Sequence, residues 1–136
     1  NAEFVSWILK VKSNIDSGTF RPVQLAAAAA VDNDDLWHRQ HNVERYAERR
    51  KLAEAILSTL GCRYDREQTG LFLWGEIPAH LDDAEELTER ALHEARVFIT
   101  PGFIFGENGR RYVRLSLCAD ENRLAEALSR LQSVFG

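Results

Sequence analysis

The sequence predicts an α+β fold in which a small, mostly antiparallel sheet is covered by helices on one face. Two observations predict it. The first sixty or so residues have the apolar spacing of helices throughout. From Cys62 onward the pattern changes to strand, helix, strand, strand, helix, an order typical of a helix-covered antiparallel sheet. The chain has 136 residues, 45% of them hydrophobic, which is enough for one such core.

Three helices are predicted in the first part of the chain. The first covers Glu3–Val11 and ends at the turn-forming segment Ser13–Gly18. The second covers Thr19–Val31 and is rich in alanine. The third runs from about Leu36 to Leu60, and Gly61 is expected to end it.

Three strands are predicted in the second part. They cover Gly70–Glu76, Val97–Thr100 and Tyr112–Leu117, with Phe103–Phe105 extending the edge formed by the second. Alternation along the last strand directs Val113 into the core and Arg114 to the opposite face. Asn108-Gly109, just before that strand, predicts a hairpin turn.

Two more helices complete the predicted fold. Asp82 followed by Glu85 is a capping pair that predicts a helix start between the first two strands. Asp120 predicts the start of the last helix, because an aspartate side chain can accept the free amides of a first turn. These helices supply the layer that covers the sheet.

Charge and composition exclude several classes of partner. The net charge of −4 argues against nucleic acid or an anionic membrane surface, and the most apolar run, Val23–Val31, is too short to span a bilayer. Cys62 and Cys118 are isolated and predict reduced packing residues. His38 and His41 lie three apart on a predicted helix, but no further ligands accompany them. We therefore expect a cytoplasmic protein without a metal site.

Arg114 is the residue best suited to a binding role. A guanidinium held on a rigid strand grips a carboxylate through two parallel hydrogen bonds. Tyr112 and Ser116 are predicted to share its face of the sheet. Spacing alone favours the alternative, a solvated strand arginine, because most charged residues are simply exposed.

Three stretches of the sequence resemble the class I and II aminotransferases of fold type I. In chain order they are Lys12–Gly18 with Phe20–Gln24 and Ala26-Ala27; Gly70–Trp74 with Ile77-Pro78; and Val97, Pro101-Gly102, Phe105-Gly106, Gly109 and Arg114–Ser116. The resemblance runs in order over nearly the whole chain, and its first and third stretches are specific in combination. It departs at Arg96, where the family usually has glycine.

The resemblance implies an enzyme that uses pyridoxal phosphate to move an amino group between an amino acid and a 2-oxo acid. It implies that Arg114 binds the α-carboxylate of the substrate. It also implies that Ser13 and Asn14 approach the cofactor from the partner subunit of a homodimer. A lyase or decarboxylase on the same scaffold and a non-catalytic interaction or regulatory domain with this fold are the alternatives.

Other parts of the implied site are expected upstream of this chain. The family's cofactor-bearing lysine, its aspartate for the pyridine nitrogen and its ring-stacking aromatic residue have no counterpart in the sequence. The chain also lacks methionine, and Asn1-Ala2 is typical of a cleaved tag. We expect residues 1–35 to be a helical connector that packs against a missing large domain, and residues 36–136 to be the C-terminal small domain. Alone, the chain is expected to bind no cofactor and to be inactive.

Overall fold

The computed structural model describes residues 1–15 and 17–136, with the backbone alone at residues 36, 37, 41 and 42. It divides into two compact units, Asn1–His41 and Asn42–Gly136. The second unit contains the three strands and the buried core of the described chain. The roles expected for residues 1–35 and 36–136 stay predictions. So does the expectation for His38 and His41, because the His41 side chain lies outside the described part.

The first unit is helical. It contains α1 (Ala2–Ile15), α2 (Arg21–Asp32) and α3 (Asp34–Trp37). The helix α1 has no buried residue, and it continues past the end predicted at Val11. Ser13 and Asn14, predicted to form a turn, lie instead in its last helical turn, where both side chains donate back to the Lys10 carbonyl, over 3.2 and 2.7 Å.

The predicted third helix, about Leu36 to Leu60, is helical over nearly its whole length, but it is not one continuous α-helix. A π-helical segment, His38–Arg45, separates α3 from α4, which covers Tyr46–Thr59. Val43 is the only aliphatic residue of the π-helical segment, so the segment has no apolar stripe of its own. The helix α4 buries Ala53, Ile56 and Leu57. Gly61, with a φ of +69°, follows its end as predicted.

The sheet contains three antiparallel strands in the order β1–β3–β2. They are β1 (Phe72–Glu76), β2 (Thr100–Pro101) and β3 (Tyr112–Ser116). The predicted alternation in β3 is confirmed, since Val113 and Leu115 are buried while Arg114 lies on the other face. In the register, Arg114 pairs with Trp74 of β1 on one side and with Thr100 of β2 on the other.

The helix α5 covers Ala84–Ala95 and starts one residue later than predicted. Its N-cap is Asp83, not Asp82. Asp83 has the extended backbone of a cap residue, and its carboxylate accepts a hydrogen bond from the Glu85 amide at 2.9 Å. Adjacent aspartates offer the same chemistry, so the backbone conformation decides which one caps.

The predicted strand Val97–Thr100 is mostly wrong, because only Thr100 lies in a strand and the Val97 amide bonds back to α5. The Val97 amide donates to the Ala91 carbonyl at 3.1 Å, a bond that closes the helix C-terminus. Arg96, which lies between the last residue of α5 and Val97, adopts the left-handed conformation with a φ of 58°. Regular pairing with β3 is therefore confined to Thr100–Pro101.

Two 3₁₀ turns connect β2 to β3, where the sequence predicted an extended edge and a hairpin. Phe103–Phe105 lies in the turn Gly102–Phe105, and Asn108-Gly109 lies in the turn Glu107–Gly109. The amides of Gly106 and Gly109 each donate to the carbonyl three residues earlier, at 3.0 and 2.9 Å. The backbone here is satisfied locally rather than within the sheet.

The helix α6 covers Glu121–Phe135 and completes the layer over the sheet. Asp120 caps it as predicted, accepting from the Arg123 amide at 2.9 Å. Helices α4, α5 and α6 pack together against the buried side of the sheet, which confirms the predicted α+β fold. Cys62 is buried there, whereas Cys118 is exposed and is not the packing residue predicted. No helix in the described part of the chain is long and apolar enough to cross a membrane.

The strand β1 forms one edge of the sheet, and the loop before it occupies that edge. Arg63 exchanges two backbone hydrogen bonds with Glu76, at 2.8 and 2.7 Å. The Gln68 side chain accepts from the Trp74 amide at 2.8 Å and donates to the Trp74 carbonyl at 3.1 Å. Arg50 of α4 holds this loop by donating to the Gln68 carbonyl at 2.5 Å. One side-chain amide thus takes the place of a neighbouring strand at Trp74.

Candidate functional site

Arg114 lies at the centre of the middle strand, on the sheet face that the helices leave open. Alternation buries its neighbours Val113 and Leu115, so its own side chain emerges opposite the core. Pairing on both edges of β3 fixes the backbone at this position. A long side chain thus begins from one of the more rigid points of the second unit.

Two phenylalanine rings hold the Arg114 guanidinium. Its Cζ atom lies 4.1 Å from the ring centroid of Phe72 and 4.1 Å from that of Phe105. Phe72 comes from β1, and Phe105 comes from the turn that follows β2. A guanidinium against an aromatic face is attracted by the ring quadrupole and keeps its N–H groups at its edge.

Arg114 has no carboxylate partner among the residues that the structure describes, in contrast to several other arginines. Arg49 pairs with Glu121 at 3.0 Å and Arg63 with Glu76 at 2.5 Å. The hydrogen bond to Glu76 raises the pKa of Arg63. A half-buried guanidinium that is oriented by two rings and lacks an internal counter-ion is suited to bind a carboxylate from outside the chain.

The turn that carries Phe105 is fixed by a contact between two glycines. A Cβ atom on Gly102 would overlap the Gly109 carbonyl oxygen and would lie 2.7 Å from that of Tyr112. Only glycine allows this close backbone approach. The Trp74 ring packs edge-on against Phe105, with centroids 5.5 Å apart. Gly102 and Trp74 therefore position the ring that contacts Arg114.

Ser13 and Asn14, the other two predicted site residues, lie on α1 in the first unit. Both side chains are exposed and donate to the Lys10 carbonyl. The amide oxygen of Asn14 and the lone pairs of the Ser13 hydroxyl stay able to accept further hydrogen bonds. Arg114 belongs to the second unit. The role of Ser13 and Asn14 beside a cofactor stays a prediction.

Sequence reasoning missed the part that Phe72 and Phe105 play. The alternation along β1 indicates the position of Phe72. Leu73 is buried, so Phe72 and Trp74 on either side of it lie on the opposite face, which is the face of Arg114. The sequence does not predict where the Phe105 ring lies, because it predicts a strand there and the chain forms a turn. Only the place of Phe105 in the third family-like stretch pointed to the site.

The family model for aminotransferase class I and II matches residues 1–131 of this chain. The chain belongs to this family. Arg96, where the resemblance led us to expect glycine, has a left-handed backbone, a conformation that glycine adopts without steric cost.

Several similar proteins are named as aminotransferases. Over all 136 residues the chain is 40% identical to an LL-diaminopimelate aminotransferase of Desulforudis audaxviator, of which it covers 34%. It is 31% identical to the glutamate-pyruvate aminotransferase AlaC of Escherichia coli, over 99% of this chain and 33% of that protein. Substrate-bound BacF of Bacillus subtilis is similar over the whole chain, with a TM-score of 0.74 and 29% identity, and 35% of BacF is covered. The chain therefore spans about a third of the length of the curated relatives it matches.

Proposed function

We propose that this chain is the substrate-carboxylate-binding part of a pyridoxal-phosphate-dependent aminotransferase that moves an amino group between an amino acid and a 2-oxo acid. The observation that carries the proposal is the Arg114 guanidinium, held at 4.1 Å from two aromatic rings and without an acidic partner in the described chain. An amino acid and a 2-oxo acid both carry the carboxylate that such a group binds.

Arg114 does two things in the proposed reaction. It contributes affinity through two charge-assisted hydrogen bonds to the α-carboxylate. It also fixes the direction in which the α-carbon and its proton point, because a bidentate pair on a stacked guanidinium has one preferred plane. Pyridoxal phosphate, when bound, supplies the electron sink for chemistry at that α-carbon.

Ser13 and Asn14 are proposed to lie beside the cofactor of the partner subunit in a homodimer. Their chemistry fits the polar groups of pyridoxal phosphate, because each retains hydrogen-bonding capacity beyond its bond to Lys10. Both carry no charge, so they add hydrogen bonds next to the cofactor without adding repulsion. The names of the relatives give the first substrates to assay, which are LL-diaminopimelate, and glutamate with pyruvate.

The full-length protein carrying Arg114→Ala tests the proposal. We expect kcat/KM for amino acids to fall about a hundredfold or more, since a bidentate charge-assisted pair contributes on the order of 3 kcal/mol. Arg114→Lys should not restore it, because a single ammonium cannot reproduce the planar fork.

Arg110→Ala is the matched control, because Arg110 is an exposed arginine that already has acidic partners, Glu107 at 3.5 Å and Asp83 at 3.6 Å. It should leave kcat/KM unchanged. A change below about threefold for Arg114→Ala would mean that Arg114 is only a surface strand residue.

A further inference from the structure

Two aromatic rings, those of Phe72 and Phe105, pack against the Arg114 guanidinium. Phe72 belongs to β1 and Phe105 follows β2, and these two strands pair with opposite edges of β3. Each ring centroid lies 4.1 Å from Cζ. The rings thus come from elements on opposite edges of β3, and the N–H edge of the guanidinium is the side left for a ligand.

We propose that Phe72 and Phe105 make this site selective for planar carboxylates over tetrahedral oxyanions such as sulfonates and phosphonates. The inference rests on the proposed role of Arg114 as the carboxylate-binding residue. The two rings would add a specificity that an arginine without aromatic neighbours does not have, since exposed arginines bind phosphate and sulfate as readily as carboxylate.

The shapes of the two anions carry the argument. A carboxylate is planar, so both of its oxygens accept hydrogen bonds in the plane of the guanidinium. A sulfonate that places two oxygens in that plane must direct its third oxygen out of it, toward Phe72 or Phe105. Ring carbons offer that oxygen no hydrogen-bond donor, and the ring face carries partial negative charge. An oxyanion oxygen that loses water without gaining a partner costs free energy.

Contacts with neighbouring residues fix the position of Phe105. Trp74 packs against it with a centroid distance of 5.5 Å, and the Gly102–Gly109 contact fixes its turn. Phe105 is still 50% exposed, so truncating it opens one side of the guanidinium with little loss of core packing. Phe103, on the same turn and 40% exposed, provides the matched control, because the rings that lie against the Arg114 guanidinium in the described structure are those of Phe72 and Phe105.

The test compares two monoanions of equal charge, an alkyl carboxylate and the alkyl sulfonate with the same chain length. Neither has an amino group, so neither reacts. Their dissociation constants are measured on the full-length protein by titration calorimetry and checked by competitive inhibition. We expect the wild type to prefer the carboxylate by at least about tenfold. Phe105→Ala and Phe72→Ala should each reduce this ratio by about tenfold, whereas Phe105→Tyr and Phe103→Ala should preserve it.

Two failures are distinguishable. If Arg114→Ala leaves carboxylate binding unchanged, the proposed function of the site is wrong. If Arg114→Ala weakens binding but the ratio in Phe105→Ala equals that of the wild type, the selectivity alone is overturned. The two dissociation constants of the wild type also test the proposal without any variant, since equal affinity for carboxylate and sulfonate overturns it.

Discussion

The backbones of Gly102 and Gly109 lie in direct contact, so that a methyl group on either residue would overlap the main chain of the other. Gly102→Ala should therefore destabilise the second unit by roughly 1–3 kcal/mol, the usual cost of overpacking. Chemical denaturation measures this as a lower midpoint with unchanged slope. Asn108→Ala, an exposed change in the same loop, is the control and should stay within about 0.5 kcal/mol. Equal stabilities of the two variants would contradict the contact.

Arg96→Gly should stabilise the protein. Arg96 is the only non-glycine residue in the described chain with a positive φ, and it follows α5 in the position where helices favour glycine. Relief of the left-handed strain is expected to add about 1 kcal/mol, measured as a higher denaturation midpoint. Arg96→Ala keeps the strain while removing the charge. A gain in both variants would assign the effect to charge instead of backbone.

The Glu121 carboxylate should make stability depend on pH. Hydrogen bonds from its own amide and from Arg49 lower its pKa in the folded protein. Its stabilisation is therefore present above the unfolded pKa of about 4.3 and is lost as the pH falls through the lower folded value. The stability deficit of Glu121→Gln should be largest near neutral pH and should shrink in acid. Unfolding free energies measured across that range check this, and a deficit independent of pH would contradict it.

The two cysteines should differ sharply in reactivity. Burial raises the pKa of Cys62 to about 12, so almost no thiolate forms at neutral pH. Cys118 is exposed. A disulfide reagent should label Cys118 rapidly and reach Cys62 only on unfolding. Cys118→Ser should abolish the fast phase, and Cys62→Ser should leave it intact; fast labelling that survives Cys118→Ser would contradict the burial of Cys62.

The elements that rest on strict periodicity were predictable from sequence. Alternation along β3 placed Val113 inside and Arg114 outside, and Asp120 was identified as a cap. These features depend on neighbours within one turn or one strand, where spacing alone determines the geometry.

The predictions that failed concern backbone contacts and strand pairings that residue spacing does not show. Val97 was assigned to a strand, but its amide is taken by the end of α5. Phe105 was placed on an edge, whereas the approach of two glycines curls that segment into a turn. The grouping of Phe72, Phe105 and Arg114 follows from strand order and register, which a single sequence does not specify.

The Gln68 side chain has a consequence for how copies of this chain behave toward one another. An open edge strand is a template on which a second molecule adds its own strand, the first step of aggregation. At Trp74 the amide and carbonyl that such a strand would need are occupied by Gln68, and at Glu76 they are occupied by Arg63. The loop before β1 therefore protects this edge at Trp74 and Glu76 against edge-to-edge association while leaving the face that bears Arg114 open.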